Sequence, residues 1–574
     1  MVRTIMFAWS CRKKSIIINA VILAAFLLWI HTVYETNDDH TIAKMIVGGY
    51  ANMGFVNCYL CKALIAIQKL LPGINVFILS QIFLSFVSFV VILRIIFERS
   101  KNKITDVIAI LVIAVFAIDH YAIIQFTKTS ALLITAGLIS ILDTAQNSKR
   151  KANYIEGGLL IILGTTFRWN TLLPSLGYLC AYLGVFVLIL LISGIKERNL
   201  KETTSSLKIF IPCVIVLIIT IGLSFSLDKA SSAMNRSTEE LQATREYSSL
   251  RARMTDFPVD DLYDNYTKEC DAIGIDDNDI LLIHKWVLDY DGAATVDNLK
   301  VLSEIGKDAS GNRLTVTRVV KKCGRGIIKS LKKMDYTGWH IAILILLSLF
   351  IIVTTKPRNW LYVIGFGGLT ICLYLVLYYM QRPVYRTLYI ADIGAAMWLL
   401  YIAASNSNKI KNYSKAVAAL VIVACCLALP MEAQRVERRY ASTAHRTRPA
   451  ELDKYFEQHR DSLFVCEVNG WNNARTYETP LKVSTNAQSN DVSVGGWSTL
   501  SPYQIEHLNK YGINNPIKDL IDNEHAFYVG NARIKEMKEY YNKWYSDKGN
   551  NIKFILVDTV GGKNIWKVAR ADNN

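Results

Sequence analysis

Residues 15–40 of the chain, SIIINAVILAAFLLWIHTVYETNDDH, join a long apolar run directly to an acidic segment. The apolar part, Ser15–Val33, follows the basic residues Arg12, Lys13 and Lys14, as the apolar part of a signal peptide would. It is long for a signal peptide, and no convincing small-residue cleavage site follows it, so we interpret it as a retained membrane anchor. The stretch therefore predicts a first membrane span that ends at a group of ionisable side chains.

Apolar runs of similar length recur along the chain. The protein has 574 residues, of which 52% are hydrophobic, and a mean hydropathy of +0.25. A helix needs about 20 apolar residues to cross the core of a bilayer. We predict about eleven spans on this basis, near Ser15–Val33, Ile74–Phe97, Ile104–Ile124, Ala131–Thr144, Tyr154–Phe167, Leu173–Ile195, Leu207–Leu227, Ile341–Thr355, Trp360–Met380, Thr387–Ala404 and Ala416–Leu429. This composition excludes a simple soluble globule.

The basic residues predict the orientation of these spans. A formal net charge of +16 can indicate a nucleic-acid partner, but much of the surplus lies in short loops between apolar runs, where basic residues set topology. The loops assigned to the cytoplasm contain Arg99, Lys101 and Lys103; Lys149, Arg150 and Lys151; Lys196, Arg198 and Lys201; Lys356 and Arg358; and Lys409, Lys411 and Lys415. An odd number of spans then places the N-terminus in the cytoplasm and the C-terminal part outside the cell membrane.

Polar segments divide the predicted chain into four parts. These are an N-terminal transmembrane module at residues 1–228 with an acidic first external loop at 34–73, a mainly helical external insertion at 229–339, a second transmembrane module at 340–429, and an external α/β domain at 430–574. In the first loop, Val56–Leu71 has the pattern of an interfacial helix. The last part has predicted strands at Ser462–Val468, His525–Val529, Ile552–Asp558 and Asn564–Val568, a charged helix at Ala532–Ser546, and a turn at Gly561-Gly562.

An acidic group in the insertion allows two interpretations. Asp276, Asp277 and Asp279 resemble part of a calcium loop, but the glycine and the distant glutamate of an EF-hand are missing. Asn278 and Asp279 directly precede the apolar run Ile280–Val287. Helix capping is therefore the better account of these residues.

The segment at the end of the first span is the most informative candidate site. It holds Glu35, Asp38, Asp39 and His40 at a membrane boundary, where ionisable groups are costly unless they are solvated or used. Adjacent aspartates repel each other, so that one of them can keep a raised pKa that suits a general base. The alternative is a hydrophilic loop that only marks the end of a span.

Other polar side chains occur at the same predicted depth. They are Asp119, His120, Gln125 and Lys128 near the third span, Arg168 and Asn170 after the fifth, and Gln381, Arg382, Tyr385 and Arg386 between the ninth and tenth. Each alone is typical of a snorkelling or interfacial residue. Together they bring carboxylates and cations to one face, which suits a phosphate leaving group and an acceptor that loses a proton. The sequence contains no P-loop, HExxH or GxSxG motif that would indicate a different chemistry.

Several short motifs resemble those of GT-C-type membrane glycosyltransferases, in particular bacterial members with Asn-Asp-Asp in the first external loop. The matching pieces are Asn37-Asp38-Asp39, Gly54-Phe55-Val56-Asn57, Leu71-Pro72-Gly73, Gln125-Phe126-Thr127-Lys128-Thr129, Phe167-Arg168-Trp169-Asn170 and Gly274-Ile275-Asp276-Asp277-Asn278-Asp279-Ile280. The resemblance implies a mainly α, GT-C-like bundle with a small C-terminal α/β domain. It also implies that a loop aspartate, Asp38 or Asp39, acts as base or supports a metal, and that outer-face arginines hold a carrier phosphate.

These observations lead to a functional prediction. We expect an inverting glycosyltransferase that moves a sugar from a polyprenyl-phosphate donor to a cell-surface glycan or another extracytoplasmic acceptor, with no nucleic-acid partner. Asp38 and Asp39 are the catalytic candidates, and the substrate-binding candidates are Glu35, His40, Lys128, Arg168, Asn170, Arg382, Tyr385 and Arg386. No cofactor is assigned, and a requirement for a divalent metal is left open. The alternatives are a transporter or flippase of a lipid-linked glycan, which would place ionisable residues near the bilayer midplane, and a non-catalytic assembly or sensor protein.

Overall fold

A computed structural model gives the fold of most of the chain. It describes residues 2–147, 151–196, 207–256, 262–311, 315–405, 412–444, 449–468, 480–483, 490–546 and 551–571. The helices are α1 (Val2–Trp29), α2 (Asn37–Val47), α3 (Cys58–Leu70), α4 (Val76–Arg99), α5 (Lys103–Tyr121), α6 (Phe126–Asn147), α7 (Ala152–Phe167), α8 (Leu172–Lys196), α9 (Ile211–Met234), α10 (Glu239–Thr255), α11 (Leu262–Asn265), α12 (Thr267–Ala272), α13 (Asp277–His284), α14 (Val296–Gly311), α15 (Val316–Lys333), α16 (Tyr336–Thr354), α17 (Trp360–Tyr379), α18 (Tyr385–Ser405), α19 (Asn412–Ala444), α20 (Ala450–Gln458), α21 (Pro502–Asn509) and α22 (Ile534–Tyr545). The protein is a mainly α, multi-pass membrane protein, as predicted.

Helices lie at all of the predicted spans. Among the described helices, nine are long and apolar enough to cross a membrane, namely α4, α5, α6, α8, α9 and α16 to α19. The two other predicted spans, Ser15–Val33 and Tyr154–Phe167, coincide with α1 and α7, which have 28 and 16 residues. The basic residues Lys149, Arg150, Arg198, Lys201, Lys409 and Lys411, on which part of the predicted orientation depends, lie outside the described residues.

The helices α6 and α18 form the centre of the bundle. The apolar window of α6 is 100% buried inside the protein, and that of α18 is 94% buried. The sequence predicts a shorter span at Ala131–Thr144 because polar residues precede it. Inside the bundle these residues meet protein partners instead of lipid, so the helix begins earlier. The helix α6 also touches α7 so closely that a Cβ atom on Gly137 would lie 2.5 Å from the carbonyl oxygen of Gly157.

The last membrane helix continues beyond its predicted end. The sequence predicts that this span ends at Leu429, because a proline in a helix interior lacks the N–H group that the helix would use. The helix α19 instead runs through Pro430 to Ala444. Its continuation carries Glu432, which is fully buried, and Arg439, whose guanidinium donates to the backbone carbonyl of Tyr34 at 3.3 Å. Residue 430, the predicted start of the external domain, thus lies inside a helix.

A short pair of strands anchors the loop at residues 34–73 to the bundle. The strands β1 (Val33–Tyr34) and β2 (Ile123–Ile124) pair in parallel, so the start of the loop is held against the end of α5. The helix α3 occupies the position predicted for the interfacial helix, and the side chain of Asn57 caps its first turn by accepting from the Tyr59 N–H at 3.0 Å. These contacts fix the position of α2, which begins within the acidic segment.

The C-terminal part contains a five-stranded mixed sheet. Its strands are β3 (Leu463–Cys466), β4 (Asp491–Ser493), β5 (Ala526–Val529), β6 (Ile552–Val560) and β7 (Lys563–Arg570), arranged in the order β4-β3-β5-β7-β6. β3 is parallel to β4 and β5, whereas β7 is antiparallel to β5 and β6. The turn between β6 and β7 has φ values of 56° at Gly561 and 73° at Gly562, which is why glycines occupy it. The predicted strands and turn are present, and β4 is an additional strand that the sequence did not indicate.

The insertion and the sheet share one hydrophobic core. Tyr247 and Leu299 from the insertion belong to the same buried cluster as Val465 and Tyr528 from the sheet. At the edge of this core, Asp276 and Asp279 form a capping box at the start of α13, and Lys543 lies 2.7 Å from Asp276. The capping interpretation of this acidic group is confirmed. Whether the four predicted parts are separate folding units stays a prediction.

Candidate active site

Four arginines and two aspartates meet at the end of the bundle from which the insertion extends. We call this group the rim cluster, and it consists of Asp38, Arg168, Arg251, Asp256, Arg382 and Arg386. Arg386 lies 3.8 Å from Asp38, and Arg382 lies 3.3 Å from Asp256. Arg251 lies 3.9 Å from the other oxygen of Asp256. The structure therefore unites Asp38 and three arginines that the sequence predicted with a basic and an acidic residue from the insertion.

Arg168 is the least compensated cation of the rim cluster. Its guanidinium lies between two aromatic rings, 5.5 Å from the centre of Phe55 and 5.6 Å from the centre of Phe126. Within the described part of the chain, no carboxylate lies at salt-bridge distance from it. Burial lowers the pKa of Arg168, and the neighbouring charge of Arg386 lowers it further, although Asp38 has the opposite effect. A bound anion would relieve this accumulation of positive charge.

The two adjacent aspartates of α2 occupy different environments. The side chain of Asp38 is 25% exposed and faces Arg386. The side chain of Asp39 is fully buried, and one of its oxygens accepts from Gln81 Nε2 and from the Phe126 N–H, each at 3.0 Å. Burial is the main reason why the pKa of Asp39 rises from 3.8 to about 8, while the bond from Gln81 opposes this rise. Asp38 is thus available to a substrate, whereas Asp39 ties α2 to α4 and α6.

Lys128 stands at the centre of a buried network below the rim cluster. Its side chain is fully buried, and its Nζ lies 2.8 Å from both Glu35 and Asp119. Tyr385 donates to the same oxygen of Asp119 at 2.8 Å. The structure therefore joins the three predicted substrate-binding residues Glu35, Lys128 and Tyr385 through Asp119, and Tyr385 directly precedes Arg386 of the rim cluster. That these three residues bind the substrate stays a prediction.

The two remaining predicted residues, His40 and Asn170, do not belong to the rim cluster. Asn170 is exposed, in the short turn Trp169–Thr171 that follows Arg168. His40 is buried and packs edge to face against Tyr34, with ring centres 5.7 Å apart. His40 also borders a cleft between α2 and the C-terminal domain.

This cleft has a volume of about 700 Å³, including its open mouth. Lys44 of α2 lines one wall, and Trp497, Tyr503 and His507 line the opposite wall. Phe55 connects the cleft to the rim cluster, because its ring packs against Trp497 at 5.0 Å and against the guanidinium of Arg168 at 5.5 Å. A ligand with polar groups and an apolar ring face would find partners for both in this cleft.

No protein-family model matches this chain, and no curated protein matches it either. Among solved structures, the chain is similar to ArnT from Cupriavidus metallidurans, crystallised with undecaprenyl phosphate bound. The similarity covers 96% of this chain and 97% of that chain, at 12% sequence identity and a TM-score of 0.39.

Several charged residues of the rim cluster and of the bundle below it were not among the sequence predictions. Arg251 and Asp256 lie in the insertion, where charged residues are frequent and nothing distinguishes these two. Asp392 lies within the predicted span Thr387–Ala404, and an ionisable residue inside an apolar run is a signal that could have identified it. Glu432 was overlooked because Pro430 appeared to end the span before it.

Proposed function

We propose that this protein transfers a glycosyl group from a polyprenyl-phosphate-linked donor to an acceptor outside the cytoplasm. The observation that carries the proposal is the composition of the rim cluster, in which, among the residues that the structure describes, four guanidinium groups face two carboxylates. This surplus of positive charge lies where apolar membrane helices end, so a lipid tail can lie along the bundle while its phosphate reaches the arginines. Arginine suits this task because it donates two parallel hydrogen bonds to phosphate oxygens.

The surplus charge fits the chemistry of a departing lipid phosphate. A polyprenyl-phosphate sugar is a phosphodiester with one negative charge, and the released polyprenyl phosphate is a monoester that approaches two. Cations that are fixed in place therefore stabilise the transition state and the leaving group more than the bound donor. The uncompensated guanidinium of Arg168 is the group that gains most from this added charge.

Asp38 is the proposed general base. In the reaction, the acceptor hydroxyl oxygen forms a bond to the anomeric carbon while the bond from that carbon to the phosphate oxygen breaks. The hydroxyl proton moves to the Asp38 carboxylate, and the electron pair of the broken bond stays on the phosphate. Attack opposite to the leaving group inverts the configuration of the anomeric carbon. Asp38 suits this role because it is the exposed member of the aspartate pair.

The remaining predicted residues receive supporting roles in the proposal. Glu35, Lys128 and Tyr385, together with Asp119, link the segment between β1 and α2 to α5, α6 and α18 below the cluster, and so position its arginines. The cleft beside α2 is the proposed acceptor site, because it lies on the helix that carries Asp38 and combines aromatic rings with polar groups. His40 belongs to this acceptor side, and Asn170 is exposed in the turn after Arg168.

The direct test supplies the purified full-length chain with a radiolabelled polyprenyl-phosphate sugar and measures release of the lipid phosphate. We expect Asp38→Asn to lower the rate by about 10²-fold or more, the usual contribution of a general base. Asp277→Asn is a matched control, since Asp277 is also an acidic residue in the first turn of a helix but is exposed and distant in the insertion.

Three variants separate the roles at the site. Removal of the guanidinium in Arg168→Met and Arg386→Met should slow release by about 10²-fold, as expected when one charge-stabilising donor is lost. Full activity of Asp38→Asn would contradict the assignment of the base. Movement of intact donor across a bilayer with no cleavage of the sugar–phosphate bond would instead support the transporter alternative and overturn the proposal.

A further inference from the structure

A second group of ionisable side chains lies below the rim cluster, and the proposed reaction does not use it. Asp119 on α5, His340 on α16 and Glu432 on α19 are all buried, and one ligand atom from each lies within 4.8 Å of the others. We propose that these three side chains bind a single divalent transition-metal ion, with Zn²⁺ as the expected occupant.

Unsatisfied hydrogen-bonding atoms on these three side chains support this proposal. The Oδ2 atom of Asp119, both ring nitrogens of His340 and both carboxylate oxygens of Glu432 are buried without a hydrogen-bond partner in the described part of the chain. Buried polar atoms almost always have such partners, so orphaned atoms on three side chains whose ligand atoms, one from each, lie within 4.8 Å of one another need an explanation. The His340 Nε2 atom lies 3.5 Å from Asp119 Oδ2, which is longer than a good hydrogen bond but compatible with two ligands of one metal ion.

The balance of charge in this region also supports a bound cation. Glu35, Asp119, Asp392 and Glu432 are four carboxylates, and Lys128 is the fully buried permanent cation among them. Arg435 also lies near Glu432; its Nη2 donates to the Lys333 backbone carbonyl at 3.1 Å, whereas its Nη1 is buried without a hydrogen-bond partner among the described residues. Buried charges require compensation, and a divalent cation would supply it where Asp119, Glu432 and the imidazole of His340 converge.

The donor atoms favour zinc over magnesium or calcium. Zn²⁺ accepts both imidazole nitrogens and carboxylate oxygens as ligands, whereas Mg²⁺ and Ca²⁺ prefer oxygen ligands alone. Three protein ligands also leave the fourth tetrahedral position for water.

The surroundings of the three ligands resemble the outer shell of a metal site. The second nitrogen of His340 lies 3.7 Å from Asp392, and such a carboxylate commonly orients a metal-binding histidine. The imidazole also stacks on Phe116, with ring centres 4.3 Å apart. The other oxygen of Asp119 receives the hydrogen bonds from Lys128 and Tyr385. These contacts leave Asp119 Oδ2 and His340 Nε2 directed toward each other.

The proposed ion would join three membrane helices at one point. It would hold α5, α16 and α19 together directly below Tyr385, whose neighbour Arg386 belongs to the rim cluster. This role does not depend on the proposed transferase activity, because the ion would stabilise the bundle whatever reaction occurs at the rim.

The test measures the metal content of the full-length chain, purified in nanodiscs without chelator, by inductively coupled plasma mass spectrometry. We expect about one metal ion per chain in the wild type and at least about tenfold less in Glu432→Gln and His340→Asn. Glu156→Gln is the matched control, because it removes an intramembrane carboxylate that is paired with Arg94 and lies on another helix, so it should retain the ion.

Thermal unfolding provides a second readout that activity does not affect. Dipicolinate should lower the Tm of the wild type and of Glu156→Gln, and added Zn²⁺ should restore it, whereas Glu432→Gln should not respond to either. If His340→Asn does not fold, Glu432→Gln alone decides the question, since glutamine keeps the size of glutamate.

Absence of bound metal in the wild type and in Zn²⁺-treated samples overturns the proposal. Equal or higher stability of Glu432→Gln with no effect of chelator also overturns it, because protons would then neutralise the cluster.

Discussion

Asp39→Asn tests the separation of roles between the two adjacent aspartates of α2. Asp39 is fully buried, and its carboxyl accepts hydrogen bonds from Gln81 and from the Phe126 backbone at 3.0 Å. Asparagine has nearly the same shape, and its carbonyl oxygen can accept both bonds. The substitution therefore removes the ability to ionise while it keeps the contacts that hold α2 in place.

The expected effect depends on pH in a defined direction. Burial raises the pKa of Asp39 from 3.8 to about 8, so between these values the folded chain holds a proton that the unfolded chain has released. In this window the free energy of unfolding falls as pH rises, by about 1.4 kcal/mol per pH unit for one such group. From pH 5 to pH 8 the wild type should therefore lose ~4 kcal/mol relative to Asp39→Asn.

The assay compares thermal unfolding of the two full-length proteins in nanodiscs from pH 5 to pH 9. The other titrating groups are common to both proteins, so the difference between their curves isolates Asp39. We expect the Tm of the wild type to fall relative to that of Asp39→Asn up to about pH 8 and the difference to level off above that pH. Asp277→Asn, which changes an exposed aspartate, should follow the wild type.

Two results would refute this reasoning. Parallel curves for the wild type and Asp39→Asn at every pH would show that the buried carboxyl does not change its protonation on folding. An Asp39→Asn protein that is fully stable but as inactive as Asp38→Asn would show that Asp39, and not its neighbour alone, takes part in the reaction.

Two further substitutions test packing and the contact between the insertion and the C-terminal domain. Gly137→Ala should destabilise the bundle by about 1–3 kcal/mol, because the new methyl group would overlap the backbone of α7. Gly184→Ala on α8 is the control, since a methyl group there enters open space and should be tolerated. The Tm of each variant in nanodiscs measures the difference in stability. Lys543→Met should lower the free energy of unfolding by about 1–2 kcal/mol, because it leaves the buried Asp279 without its cation, while Lys538→Met, at an exposed position, should not. Equal rates of limited proteolysis for the two lysine variants would contradict the second expectation.

The membrane helices could be predicted from the sequence because each depends on a local run of apolar residues. Their ends were harder to predict wherever polar residues are buried inside the bundle instead of exposed to lipid. The start of α6 and the passage of α19 through Pro430 are the two clear examples. In both places, contacts with other helices replace the bilayer as the environment that decides whether a residue can be helical.

The candidate site was predicted only in part. Asp38, Arg168, Arg382 and Arg386 share a predicted depth because all of them lie at the ends of spans on one face. Arg251 comes from a polar insertion whose folded position the local sequence does not specify.

The acidic stretch that ends the first span shows which properties of the site follow from the sequence and which follow from the tertiary structure. The sequence by itself determined that ionisable residues gather at one end of the apolar runs, because hydropathy and charge act along the local chain. Only the tertiary structure decided which aspartate is buried, because successive residues on a helix point about 100° apart and the neighbouring helices choose the covered face. It also decided that Lys128 is neutralised by Glu35 and Asp119 while Arg168 meets no carboxylate of the described residues at salt-bridge distance, since that depends on which segments pack together.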